Sequence, residues 1–125
     1  MQGILIVEDD AELREMIKNA LVRNKFTVIE ASNGKEAITY FKPFVTDVVI
    51  TEIIMPEEDG LGVIRKLKKL KPELKIIAMT GGGKASPRHY LNFAKMLGAD
   101  VTITKPFQIN DLISIVENLF KLSNR

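Results

Sequence analysis

The sequence predicts an α/β fold, an open five-stranded parallel sheet, doubly wound with helices on both faces. Three observations carry this. Five short runs rich in Val and Ile recur along the 125 residues. Helical spacings of apolar residues lie between them and after the last. Most of the runs are too continuous for strands with one wet face, which suits a parallel sheet covered on both sides.

The first run is ILIV, residues 4–7. Leu13, Met16, Ile17, Ala20 and Leu21 then follow the i, i+3, i+4, i+7, i+8 spacing of one helical face. FTVI at 26–29 is the second run. Ala37, Tyr40 and Phe41 mark a short helix that Ser32 or Asn33 can cap. VVI at 48–50 is the third run, and Val63, Ile64, Leu67 and Leu70 form the next stripe, with lysines on its outer side. IIAM at 76–79 is the fourth. Leu91, Ala94 and Leu97 give a helix that opens near Pro87 and stops at Gly98. VTI at 101–103 is the fifth. Leu112, Ile115, Val116, Leu119 and Phe120 place the last helix, ending near Leu122. Right-handed crossovers distribute these helices over both faces. Residues 1–125 are read as one domain.

Composition narrows the function classes. No Cys is present, which excludes thiolate metal sites and disulfides. The net charge of +2 is too small to argue for nucleic acid. No apolar run approaches the roughly 20 residues of a membrane span. The chain opens with Met1, Gln2 and Gly3 directly before an apolar run, with no room for a signal peptide, so a cytoplasmic location is expected. Arg65, Lys66, Lys68, Lys69 and Lys71 crowd one segment and read as a solvated helix face.

In such sheets, function collects beyond the carboxyl ends of the strands. Glu8, Asp9 and Asp10 follow the first run, Glu52 the third, Thr80 the fourth, and Thr104 and Lys105 the fifth. Carboxylates brought to one edge repel unless a cation neutralises them. Hard oxygen ligands in an open site suit Mg2+, and Lys105 can carry part of that task. Asp10 also reads as a helix cap. Two glycine motifs fail as phosphate or dinucleotide loops. Residues 81–84 (GGGK) have Ala at 78 and 85 where a phosphate loop needs Gly and Ser or Thr, and Gly60-Leu61-Gly62 lacks a third glycine.

The stretch ILIVEDDAELR, the MPEEDG turn, the threonine after the fourth run, GADVTITKPF and the amphipathic last helix together resemble the receiver domain of two-component response regulators. The resemblance covers about residues 3–122. It implies a flavodoxin-like strand order and a domain that takes a phosphoryl group from a histidine kinase onto an aspartate. It also implies Glu8 and Asp9 as the acid pair, with Asp9 a direct Mg2+ ligand, and the backbone carbonyl of Ile54 as another. Thr80 would contact the phosphoryl oxygens, with Lys105 beside it, ahead of a cis Lys-Pro bond. The implied partner is a histidine kinase or downstream effector, docked on the fourth helix, fifth strand and fifth helix. A homodimer is a further arrangement the family allows.

Two positions depart from the family pattern. The Met-Pro turn sets the register, so the phosphoacceptor position is residue 52, which is Glu. The usual aromatic switch position is Thr102. Glu is one methylene longer than Asp and displaces its carboxylate by roughly 1.5 Å, while a misplacement near 1 Å can cost about two orders of magnitude in rate. The expectation is an atypical, phosphorylation-independent or constitutively active-like signalling domain rather than an enzyme, with Glu52 reaching toward Lys105 and Thr80. The alternative is slow modification at Glu52 with Mg2+. Mg2+ binding to Glu8, Asp9 and Glu52 is expected to be weak.

Overall fold

A computed structural model describes residues 2–55, 59–81 and 87–123. Ten elements alternate along the chain. They are β1 (Gly3–Val7), α1 (Ala11–Arg23), β2 (Thr27–Ala31), α2 (Gly34–Tyr40), β3 (Val48–Glu52), α3 (Gly60–Leu70), β4 (Lys75–Thr80), α4 (Pro87–Leu97), β5 (Val101–Thr104) and α5 (Ile109–Ser123). The five strands form one parallel sheet in the order β2-β1-β3-β4-β5. This is the flavodoxin-like order, and its reversal next to β1 opens a crevice at the carboxyl ends of β1 and β3.

Two apolar clusters explain why the central strands read as continuous runs. Leu5, Val7, Val49, Ile76 and Ala78 pack on the side of α2, α3 and α4. Ile4, Ile6, Val48, Ile50, Ile77 and Met79 pack on the side of α1 and α5. Successive residues of a strand point to opposite faces, so only a sheet covered twice buries every residue of β1 and β3.

Local signals explain the helix ends. Asp10 caps α1 by accepting from the amides of Glu12 at 3.0 Å and Leu13 at 3.2 Å. Of the two caps proposed for α2, Asn33 is the one used, accepting from Glu36 N at 2.8 Å. Glu36 reaches back to the Ser32 amide and hydroxyl, both at 2.7 Å, in a variant of the capping box. Gly98 ends α4 with φ +122°, a conformation that favours glycine.

The boundaries differ modestly from the sequence reading. β2 begins at Thr27, with Phe26 buried just before it, and β3 extends to Glu52. Three stripe residues are not core: Met16, Tyr40 and Leu70 are all exposed. Ile113, outside the expected stripe, is buried in α5, while Ile115 is only half-buried. Each difference has the same origin: spacing predicts a face, but the neighbouring element decides how much of that face is covered. The Met-Pro turn beyond Met55 and the glycine loop beyond Gly81 lie outside the described residues.

Candidate functional site

The parallel sheet delivers three chemical groups to one edge. Glu8 leaves the end of β1, Glu52 is the last residue of β3, and Lys105 follows β5. Glu8 is 1% exposed and Glu52 4%. Carboxylates this deeply buried need partners. Lys105 supplies one to both: its Nζ stands 2.5 Å from Glu8 Oε1 and 2.5 Å from Glu52 Oε1.

The second oxygen of each acid is also held. Glu52 Oε2 accepts from the amides of Ile53 at 2.8 Å and Ile54 at 3.2 Å. Glu8 Oε2 accepts from Asp10 N at 3.1 Å. The Glu52 side chain is thus folded over the two amides that follow it, with its far oxygen turned to the ammonium. Burial pushes the Glu8 carboxyl above its usual range. Lys105 and the Asp10 amide pull it back without cancelling the rise, and the Asp9 side chain adds to it. Burial on its own would lower the Lys105 ammonium, but its bonds to Glu52 and Glu8 outweigh that and raise it.

The surrounding backbone holds this geometry. Lys105 N donates to Thr80 O at 2.8 Å, tying the residue after β5 to the end of β4. The Lys105–Pro106 bond is cis, as the resemblance implied. Arg14 Nη1 donates to the Glu8 carbonyl at 2.7 Å, so α1 braces the end of β1. Gly60 N donates to Ile53 O at 2.7 Å, and a Cβ at Gly60 would lie 2.1 Å from the Glu52 carbonyl oxygen. The backbone after β3 therefore packs on α3 where only glycine fits. Arg14 and Gly60 were not singled out from the sequence. Arg14 sits inside a helical pattern with no distinguishing neighbour. Gly60 closes the MPEEDG turn and opens the failed GLG nucleotide motif, but neither gave it a packing role.

The remaining expected residues are distributed as follows. Asp9 is exposed beside the buried Glu8. Thr80 is fully buried, and its hydroxyl donates to Gly81 O at 3.4 Å rather than to Glu52. Ile54 is 47% exposed. Thr102 is half-buried on β5 opposite Ala78.

The donor set bears on a metal. Among the described residues no group of three His, Cys, Asp or Glu is arranged to hold an ion. All four oxygens of the two buried acids already have partners, and the ammonium takes the position between them. In this arrangement the residues do not fit a divalent ion.

A parallel sheet of this order, with acids just after β1 and at the end of β3, a threonine at the end of β4 and a lysine after β5, defines a phosphorelay receiver architecture. The family model of the response regulator receiver domain matches residues 4–117, and the chain belongs to that family. It is 37% identical over 114 residues to the chemotaxis protein CheY of Bacillus subtilis, covering 90% of this chain and 92% of that protein. It is 33% identical to a probable transcriptional regulator, ycf27, of Guillardia theta, where it covers 99% of this chain but 47% of the relative. Among solved structures, a response regulator receiver domain protein from Clostridium thermocellum superposes with a TM-score of 0.90 at 28% identity, covering 99% of this chain and 98% of the other. Receiver domains are signalling domains of two-component systems and typically bind Mg2+ at the phosphorylation site.

Proposed function

We propose that this chain is a receiver-type signalling module that works without phosphorylation, with Glu52 at the phosphoacceptor position. The observation that carries the reading is the commitment of both Glu52 oxygens, one to Lys105 and the other to two backbone amides. An acceptor must offer a free carboxylate oxygen in line with the phosphoryl donor, and transfer depends on that positioning. Here the extra methylene carries the charge to the lysine itself. The carboxylate stands in for a phosphoryl group and holds Lys105 in an active-like position.

Function then rests on docking a protein partner, a histidine kinase or downstream effector. The α4-β5-α5 face is the reading's docking surface, and Phe93 and Met96 are exposed on its α4 side. A divalent ion reaches Glu8, Asp9, Glu52 and the Ile54 carbonyl only by displacing Lys105, so binding is weak, of millimolar order.

The test is incubation with acetyl phosphate and Mg2+ followed by intact mass measurement. The unmodified mass is expected for the wild type, and labelling is expected for Glu52→Asp. A phosphoryl adduct on Glu52 in the wild type would overturn the reading in favour of slow modification at that residue.

A further inference from the structure

The basic run at 65–71 divides in the fold. Lys68 Nζ donates to Leu74 O at 2.6 Å and stands 4.0 Å from Asp100 Oδ2. Lys71 Nζ donates to the carbonyls of Pro43 and Thr46, both at 2.7 Å. These two lysines turn back into the molecule and tie its loops together. Arg65, Lys66 and Lys69 are exposed, and so is Leu70, at 58%. Val63, Ile64 and Leu67 form the fully buried inner side of α3. The helix contains no acid and no uncharged polar side chain. Its exposed residues are therefore cations and one leucine, whereas a face that is only solvated ordinarily mixes signs.

The neighbouring helices keep the same sign. α2 and α4 both pack against α3, over one face of the sheet. α2 adds the exposed Lys35, and its one acid, Glu36, is half-buried and bonded to Ser32. α4 contains no acid. On the other face of the sheet, α1 and α5 carry Glu12, Glu15, Asp111 and Glu117 among their cations. The net charge of +2 thus conceals a polarised molecule, basic over α2, α3 and α4. Acids bound the basic side at both ends. Asp59, preceded in sequence by Glu57 and Glu58, is the α3 cap and accepts from Gly62 N at 2.9 Å. At the other end Leu70 and Phe44 line one depression with Pro43, Lys71 and the exposed Glu73. Phe44 is 100% exposed there.

Charge and composition together select the occupant. We infer that this side of the molecule docks on an anionic lipid surface, with Lys35, Arg65 and Lys69 at the headgroups and Leu70 and Phe44 entering the layer beneath them. Such a surface draws Lys and Arg electrostatically and takes up exposed apolar side chains at its acyl boundary, so it meets both kinds of group at once. A nucleic-acid backbone is met by cations together with Ser, Thr, Asn or Gln, of which α3 has none, and it gives Leu70 and Phe44 no partner. Among the described residues neither Arg65 nor Lys69 has an ion pair to give up on docking. Among the same residues no helix is long and apolar enough to cross a membrane, so the contact is with its surface. This docking uses neither the Glu52 bridge nor β5 and α5, so it stands or falls independently of the proposed function.

The experiment is co-sedimentation of the chain with vesicles of mixed phosphatidylglycerol and phosphatidylcholine, and with vesicles of phosphatidylcholine alone. Binding is expected only to the mixed vesicles, and to fall away between about 0.05 M and about 0.5 M salt. Arg65→Glu with Lys69→Glu is expected to weaken it at least about tenfold. Arg23→Glu with Lys121→Glu makes the same charge change at exposed positions of α1 and α5, and is expected to leave binding within about twofold, because the attraction fades within a Debye length. Leu70→Ser and Phe44→Ser are expected to weaken it at unchanged charge, and Glu73→Gln to strengthen it. All these positions are exposed, so the variants keep the fold. Absence of binding to the mixed vesicles would overturn the inference. So would equal losses in the two double variants, which report net charge alone. Binding to duplex DNA that depends on Arg65 and Lys69, without vesicle binding, would assign this side to nucleic acid, with the same consequence.

Discussion

Lys105 Nζ stands 2.5 Å from Glu52 Oε1 and, from the same atom, 2.5 Å from Glu8 Oε1. One half-buried cation thus serves two buried acids 44 residues apart in the chain. A shared partner makes the three residues unequal. Removing the lysine strands two charges; removing one acid leaves a matched pair.

Lys105→Met is therefore expected to destabilise the fold by about 3–5 kcal/mol at neutral pH, because it leaves two buried carboxylates without a counterion. Glu8→Gln is expected to cost about 1–2 kcal/mol, since the Lys105–Glu52 pair survives. Urea unfolding of the two variants measures the difference. Equal losses would mean that the bridge is not shared as described.

Mg2+ tests the same bridge from outside. Wild-type melting temperature is expected to stay flat up to about 1 mM and to rise only above it, because the ion competes with a built-in ammonium. Micromolar affinity in a calorimetric titration would show that Lys105 leaves the acids easily.

Gly60 carries a steric prediction. A methyl at that position meets the Glu52 carbonyl at 2.1 Å and the Ile53 Cα at 2.5 Å, both backbone atoms that cannot swing aside. Gly60→Ala is expected to cost roughly 1–3 kcal/mol, in the range of overpacked sites. It should also shift the amide resonances of Ile53 and Ile54, which donate to Glu52. Unshifted amides would show that the backbone after β3 tolerates the change.

The start of α2 predicts a pH dependence. The Ser32 hydroxyl and amide bonds hold the Glu36 carboxyl below its usual value. A group with a lowered folded pKa contributes stability above its unfolded pKa and loses it as pH falls through the folded one. Glu36→Gln should therefore unfold at lower urea than wild type at pH 7, with the two midpoints converging as the pH falls below 4. Chemical denaturation at pH 7 and pH 3 checks this. A gap that persists in acid would point to packing rather than charge.

Much of the fold was legible because burial on two faces leaves a plain mark on a strand. β1 and β3 are buried along their whole length and apolar up to Val7 and Ile50, and the helical stripes of α1, α3 and α5 follow the period of their buried faces. Coverage was less legible. Met16, Tyr40 and Leu70 fit their stripes and are still exposed, because the reach of the adjacent element, not spacing, sets how far a face is covered. In the candidate site, the residues at the strand ends were named from the sequence, since the topology sends them to one edge. Arg14 and Gly60 were not, because their roles are a hydrogen bond to a carbonyl and a close backbone approach, and neither leaves a periodic signal.

The order of elements, the family and the acid, hydroxyl and lysine at the ends of the strands follow from the sequence itself, because each depends on local pattern or on chain order. Which partner each acid takes was decided only by the tertiary structure. Glu52 was expected to reach toward both Lys105 and Thr80; it bonds Lys105 and its own following amides, while Thr80 turns to Gly81. A side chain's length states its range, but its partner depends on atoms from distant strands meeting within about 3 Å, a distance no spacing along the chain encodes.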